Sequence, residues 1–233
     1  MPYYGFFDPT YLLVLAGVVL SLAASAYLKS VYARYSSVRS RSGMTGAQTA
    51  ERILHAAGIY DVRIEHISGN LTDHYDPRNK VLRLSDTVFG SNSVAAVGVA
   101  AHECGHAIQH DKKYAPLSLR SALVPAANIG STLSWPVILV GVLLGYSQTL
   151  ITIGIVMFSL AVAFQLVTLP VEFNASARGA RALADNGILG SDEVPSTKKV
   201  LRAAALTYVA AAAGMILQLL RLLILFGGNR RDD

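Results

Sequence analysis

Residues 121–171 form an uninterrupted run of 51 without a charged side chain. Nothing else in the chain restricts its fold as strongly. A helix crosses a bilayer in roughly 20 apolar residues, so a run of this length suits two crossings. GYSQ, at 145–148, separates LSWPVILVGVLL from TLITIGIVMFSLAVAFQLVTLPV and marks the turn of a helical hairpin, with arms at about 122–145 and 149–171. Residues 9–28 and 203–220 are uncharged runs of 20 and 18, and each gives one more crossing. The composition agrees with four spans. Only 15% of residues are charged, where a soluble domain would have about a quarter, and mean hydropathy is +0.41.

The hairpin returns the chain to the side it left. Residues 29–120 carry 12 Lys/Arg and 172–202 carry 5, together 17 of the 20 in the chain, while the N-terminal tail and GYSQ have none. The positive-inside bias then makes both polar segments cytoplasmic, although Arg221, Arg230 and Arg231 beyond the last span run against it. Topology accounts for the basic balance, so no nucleic-acid partner is expected. MPYYGFFDP has no basic residue ahead of its apolar run, unlike a signal peptide. Tyr3, Tyr4, Phe6 and Phe7 suit an interfacial aromatic belt. The single cysteine, Cys104, rules out an intrachain disulfide framework.

The first polar segment reads as a small α+β domain. Thr45 and Gln48 form a capping box, after which apolar residues recur at helical spacing until Gly58, and His55 is a solvated residue of that helix. DVRIEHIS alternates as a strand does. NLTDHYD and KVLRLSD flank DPRN, with Pro77 suited to a tight turn, which gives a hairpin. Ser91 or Ser93 then caps a helix that runs to about His110 and contains HECGH, residues 102–106.

Positions i and i+4 of an α-helix lie about 40° apart and about 6 Å along its axis. His102 and His106 can therefore reach one tetrahedral zinc ion at about 2.1 Å. Glu103, turned by about 100°, is placed to act on the attacking water as general base. A third protein ligand is needed. His110 lies about 12 Å beyond His102 on the same helix, too far for one ion. A metzincin pattern would need histidine where this chain has Lys112, and Cys104 points away as a small buried residue. His66 and His74, on strands, are lesser candidates. Gly105 leaves room beside the metal. Glu172 fits best as third ligand: it ends the 51-residue uncharged run where the hairpin re-emerges, and a carboxylate at that depth needs a partner or a metal. The helix that begins there, EFNASARGARALADNG, is closed by Gly187.

HECGH, the two-span hairpin and EFNAS resemble the HtpX-type membrane zinc metalloproteases, in which an E-x-x-A-D helix supplies the third ligand. The chain is more similar still to the YugP-type family of bacterial membrane zinc peptidases. That resemblance runs through FDPTYLLVLAG, LTDHYDPRNKVLRLS, SVAAVGVAAHECGHAIQH, YAPLSLRSALVPAAN, LPVEFNASARGARAL and AALTYVAAAA. It implies a zinc peptidase with His102, His106 and Glu172 as ligands and Glu103 as base. Ser176 stands where the HtpX-type pattern has aspartate, so that residue's support of a zinc histidine does not carry over. For the donor to the transition-state oxyanion, Arg178 is preferred by position, with Asn174, His74 and Tyr75 as alternatives.

The expectation is an α-helical membrane protein of about four transmembrane helices with a small α+β zincin-like metalloprotease domain. It divides into a first span (1–30), the α+β catalytic domain (31–120), the hairpin (121–171), a ligand-bearing helix and connector (172–202) and a last span with its tail (203–233). The expected function is a membrane-embedded zinc endopeptidase that uses zinc-activated water near the cytoplasmic interface of the bacterial inner membrane. Its substrates are peptides or membrane proteins, with the lipid bilayer as surroundings and an adaptor or a second copy as further partner. The alternative is a non-catalytic scaffold or adaptor with a structural zinc site. Ion transport is disfavoured, since the spans hold almost no charge apart from Arg221, which can snorkel to the interface.

Overall fold

Apolar length and helix punctuation decide the order of elements. The structure, a computed structural model, describes residues 8–227. Tyr3, Tyr4, Phe6, Phe7, Arg230 and Arg231 lie outside the described residues. Within them the chain runs α1 (Tyr11–Ser36), α2 (Gly46–Ala56), β1 (Arg63–Ile67), β2 (His74–Asp76), β3 (Val81–Ser85), α3 (Val94–Asp111), α4 (Ala115–Leu143), α5 (Gln148–Asp185) and α6 (Val194–Phe226). Of these, α1, α4, α5 and α6 are long and apolar enough to cross a membrane.

The helix boundaries follow local chemistry. Thr45 and Gln48 close the capping box of α2, and Ser93 rather than Ser91 accepts from the Ala96 amide at the start of α3. The turn between α4 and α5 is made at Gly145 and Tyr146, both with positive φ. Gly187, also at positive φ, follows the end of α5. Pro170 lies inside α5 and does not end it, so one 38-residue helix carries the second hairpin arm and Glu172 together.

The chain forms two compact units. One comprises the described residues up to Ser25, Leu119–Leu169 and those from Thr207 onward. Its helices approach through small residues, as membrane helices must when packing rather than water exclusion joins them. A Cβ on Gly17 would lie 3.0 Å from Gly214 Cα, and one on Gly130 would lie 2.4 Å from the Met157 carbonyl oxygen. Ile138, Phe158, Val162 and Leu222 form a buried cluster. Leu12, Leu15, Leu22, Leu139 and Leu143 are exposed, as lipid-facing positions of spanning helices should be.

Arg221 has partners that the sequence does not reveal. It does not snorkel alone: its guanidinium donates to Asp8 Oδ2 at 3.4 Å and to Thr10 Oγ1 at 3.2 Å, and lies 4.2 Å from the centre of the Tyr11 ring. The partners are 210 or more positions away, so no local pattern could reveal them.

The second unit holds Ala26–Ser118 and Pro170–Leu206. Its sheet has the order β1-β3-β2, with β3 parallel to β1 and antiparallel to β2. The expected hairpin is the β2–β3 pair. In the central strand every residue but Arg83 is buried. The core joins Ile53 and Leu54 of α2, Leu82 and Leu84 of β3, Val97, Ala101 and Cys104 of α3, and Leu183 of α5. Cys104 Sγ reaches the Ala50 carbonyl at 3.6 Å, and burial raises its thiol pKa far above the usual range. It is a packing residue.

Candidate metal centre

The site begins with two glycines. On α3, a Cβ at Gly105 would lie 2.3 Å from the Ala175 carbonyl oxygen of α5. On α5, a Cβ at Gly179 would lie 2.5 Å from the Ala101 carbonyl oxygen of α3. Each helix thus presses its backbone into the gap left by the other's missing side chain. This corrects one sequence expectation: the space at Gly105 is filled by the backbone of α5 and is not room beside a metal.

That close approach brings Glu172 to the two histidines. Glu172 Oε2 lies 3.3 Å from His102 Nε2 and 3.6 Å from His106 Nε2. One ligand atom from each of the three residues falls within 4.8 Å of the others. Tetrahedral zinc with ligands at 2.0–2.2 Å holds neighbouring donor atoms about 3.4 Å apart. Glu172 is only 3% exposed, and its Oε2 accepts no hydrogen bond among the described residues. A buried, unsatisfied carboxylate oxygen is costly, and a cation at the point the three atoms share relieves it. The donor set of two imidazoles and one carboxylate is that of catalytic zinc sites with one position left open. The residues fit the ion.

The His106 tautomer is fixed from behind. Gln109 Nε2 donates to the Val171 carbonyl at 2.8 Å and to Asn174 Oδ1 at 3.1 Å. Gln109 therefore turns Oε1 toward His106 Nδ1, 3.1 Å away. An amide oxygen only accepts, so His106 must carry its proton on Nδ1, which leaves the Nε2 lone pair facing Glu172. His102 Nδ1 lies 3.0 Å from Ser176 Oγ. The serine thus contacts the zinc-facing histidine that the wider pattern would support with an aspartate.

Glu103 is 7% exposed, and no hydrogen bond or ion pair holds its carboxylate among the described residues. Burial alone would favour neutral His106, but the neighbouring carboxylates of Glu172 and Glu103 outweigh it and raise the His106 pKa. The cluster as built draws positive charge.

Residues 10–227 fit the family described as "Putative neutral zinc metallopeptidase". The chain belongs to this family. It is also 47% identical over 221 residues, 95% of this chain and 98% of the relative, to the "Putative membrane protease YugP" of Bacillus subtilis (strain 168). No solved structure matches. Membership, the membrane protease relative and the four apolar helices support a membrane peptidase, and the family implies zinc as its metal.

The remaining sequence candidates are dispersed. Asn174 Oδ1 accepts from Gln109 and, at 2.6 Å, from Arg178 Nε. Arg178 also lies 5.6 Å from the centre of the Tyr114 ring. Asn174 thus links Arg178 to Gln109. The His74 ring is held by the Thr72 carbonyl at 2.9 Å and by Arg83 Nη1 at 3.3 Å. His66 bonds Asp86 at 2.7 Å. The Tyr75 hydroxyl shares a 2.9 Å hydrogen bond with His110 Nδ1. Burial, with the charges of Asp61, Asp76 and Asp111, pushes its pKa up to about 12. Neither His66, His74, His110 nor Cys104 enters the metal cluster among the described residues.

Sequence reasoning overlooked Gln109 as a support of the site. Its signal is the i+3 spacing from His106, which puts both on one helix face. Supports of this kind are worth about 10–100-fold in metal affinity. Gln109→Leu and Ser176→Ala are each expected to weaken zinc binding by that factor in competition with a chromophoric chelator. Ser176→Asp should retain it. Unchanged affinity in both of the first two variants would show that the hydrogen bonds do not orient the ligands.

Proposed function

We propose that the chain is a membrane-embedded zinc endopeptidase that cuts extended or membrane-proximal segments of peptides and membrane proteins. The observation that carries this reading is the convergence of His102 Nε2, His106 Nε2 and the unsatisfied Glu172 Oε2 beside a free Glu103 carboxylate. His102, His106 and Glu172 hold the ion. Zinc, when bound, acts as a Lewis acid that makes water a better nucleophile and polarises the scissile carbonyl.

The chain's own residues supply the rest. Glu103 takes a proton from the attacking water and delivers it to the departing amine nitrogen. Gln109 keeps His106 in the metal-facing tautomer, and Ser176 orients the His102 ring. Arg178, anchored by Asn174 on the helix that carries Glu172, is the cation assigned to the carbonyl oxygen as it gains charge. The short strand β2 is an edge of the sheet and is tied to α3 through Tyr75 and His110. An extended substrate can add to such an edge by main-chain hydrogen bonds, which favours unfolded segments over folded ones.

The positive-inside bias of 17 of 20 basic residues supports a site on the cytoplasmic face of the bacterial plasma membrane. An adaptor or a second copy that presents substrate is compatible with that placement. X-ray absorption of the purified zinc protein separates catalysis from a structural metal. Three protein ligands with an exchangeable fourth position are expected, together with cleavage of an unfolded protein that stops on chelation and returns with zinc. A closed shell of four protein ligands would establish the scaffold reading instead.

A further inference from the structure

A groove of about 470 Å³ lies between α5 and α6 in the second unit and is lined only by residues of those two helices. Phe173, Ala177 and Arg181 are spaced four apart along one face of α5, and Lys198 and Arg202, also four apart, face them from α6 together with Ala205. The lining contains three cations and no carboxylate. Arg181, Lys198 and Arg202 are all exposed, and none forms an ion pair among the described residues. The nearby Glu193 is occupied elsewhere, accepting from the Gly190 and Arg41 amides.

The groove has an apolar end, and cations line the rest of its length. The two helices run antiparallel, so Phe173 and Ala205 share one end. With a rise of about 1.5 Å per residue, Arg202 stands about 4.5 Å from that end, Lys198 about 10 Å and Arg181 about 12 Å. The apolar end is the one at which both helices continue, without interruption, into their membrane-spanning stretches. Phe173 is 48% exposed there. A positive-inside bias alone asks for cations anywhere on this side of the membrane. It does not ask for three of them around one apolar channel with no acid among them.

We propose that this groove binds an anionic glycerophospholipid. Its phosphate is held among Arg181, Lys198 and Arg202, and one acyl chain lies over Ala177, Phe173 and Ala205. Basic pockets between helices at the membrane surface recognise headgroups in this way, and the apolar end supplies what a free phosphate would not use. The groove is separate from the metal ligands, but Phe173 and Ser176 lie on the same helix as Glu172, so a bound lipid stiffens the segment that carries the third ligand.

Native mass spectrometry of the detergent-purified full chain, with phosphatidylglycerol or phosphatidylcholine added at equal concentration, tests this without reference to cleavage. Wild type should retain phosphatidylglycerol in preference to phosphatidylcholine. The triple variant Arg181→Gln/Lys198→Gln/Arg202→Gln should lose that preference by about ten-fold or more. Arg78→Gln/Lys113→Gln/Lys199→Gln, which removes the same charge elsewhere, should keep it. Ala177→Trp leaves the cations in place and fills the groove where the acyl chain would lie, so it should also reduce retention even if the triple variant folds poorly. Equal retention by the two triple variants overturns the site. Full retention by Ala177→Trp assigns the effect to diffuse charge and overturns the groove. Absence of any preference in wild type overturns the proposal as well, and leaves the cations to an acidic segment of a protein.

Discussion

Glu103→Gln is expected to lower peptide cleavage by at least about 100-fold and up to about 10,000-fold, with zinc content equal to wild type. Glutamine fills the same volume and leaves His102, His106 and Glu172 untouched, so the metal stays. What it lacks is a basic oxygen able to take the proton from water and return it to the leaving nitrogen. The Glu103 carboxylate is buried and unengaged by any hydrogen bond among the described residues, the state a proton shuttle needs. Steady-state cleavage of an unfolded protein, with metal analysis on the same sample, reads both quantities. Cleavage at the wild-type rate would remove Glu103 from the mechanism. Loss of zinc together with activity would show that it supports the ligands instead.

The second large effect is on assembly of the site. Gly105→Ala adds one methyl group, yet it should destabilise the protein by about 3 kcal/mol, the upper end for overpacking. The reason is what the methyl meets. Its Cβ would stand 2.3 Å from the Ala175 carbonyl oxygen and 3.0 Å from Ala175 Cα, and backbone in a packed helix cannot swing aside as a side chain can. To relieve the clash, α5 must move away from α3 and carry Glu172 and Ser176 with it. Thermal unfolding in detergent should show a midpoint lower by about 6–12 °C, and zinc affinity should fall together with stability. Gly90→Ala is the control, since a Cβ there meets nothing within 4 Å. If Gly105→Ala matches that control, the helix pair is not what sets the ligand distances.

How much could be read in advance differs from residue to residue. His102 and His106 are legible because a helix fixes i and i+4 on one face without help from the rest of the chain. The four spans are legible because lipid tolerates few charges, so their absence over 51 residues leaves little choice. Glu172 required an argument about where the hairpin ends, and its outcome depended on Pro170 being absorbed within α5. The parallel pairing of β1 with β3 was not legible. Alternation in DVRIEHIS sets which residues share a face, but it does not say which strand lies alongside or in what direction.

Local pattern and hydropathy, then, determine this protein's spans, its capping box and the helix that presents two imidazoles, because each depends on residues within a few turns of one another. The tertiary structure decides the rest. Gln109 gains its role only when Val171 and Asn174 arrive 62 and 65 positions later to fix its amide. Arg221 gains its partner only when Asp8 and Thr10 meet it across almost the whole chain. The HECGH histidines meet Glu172 through the interlocked backbones at Gly105 and Gly179, since a glycine's lack of a side chain has no meaning until a neighbouring helix occupies the space.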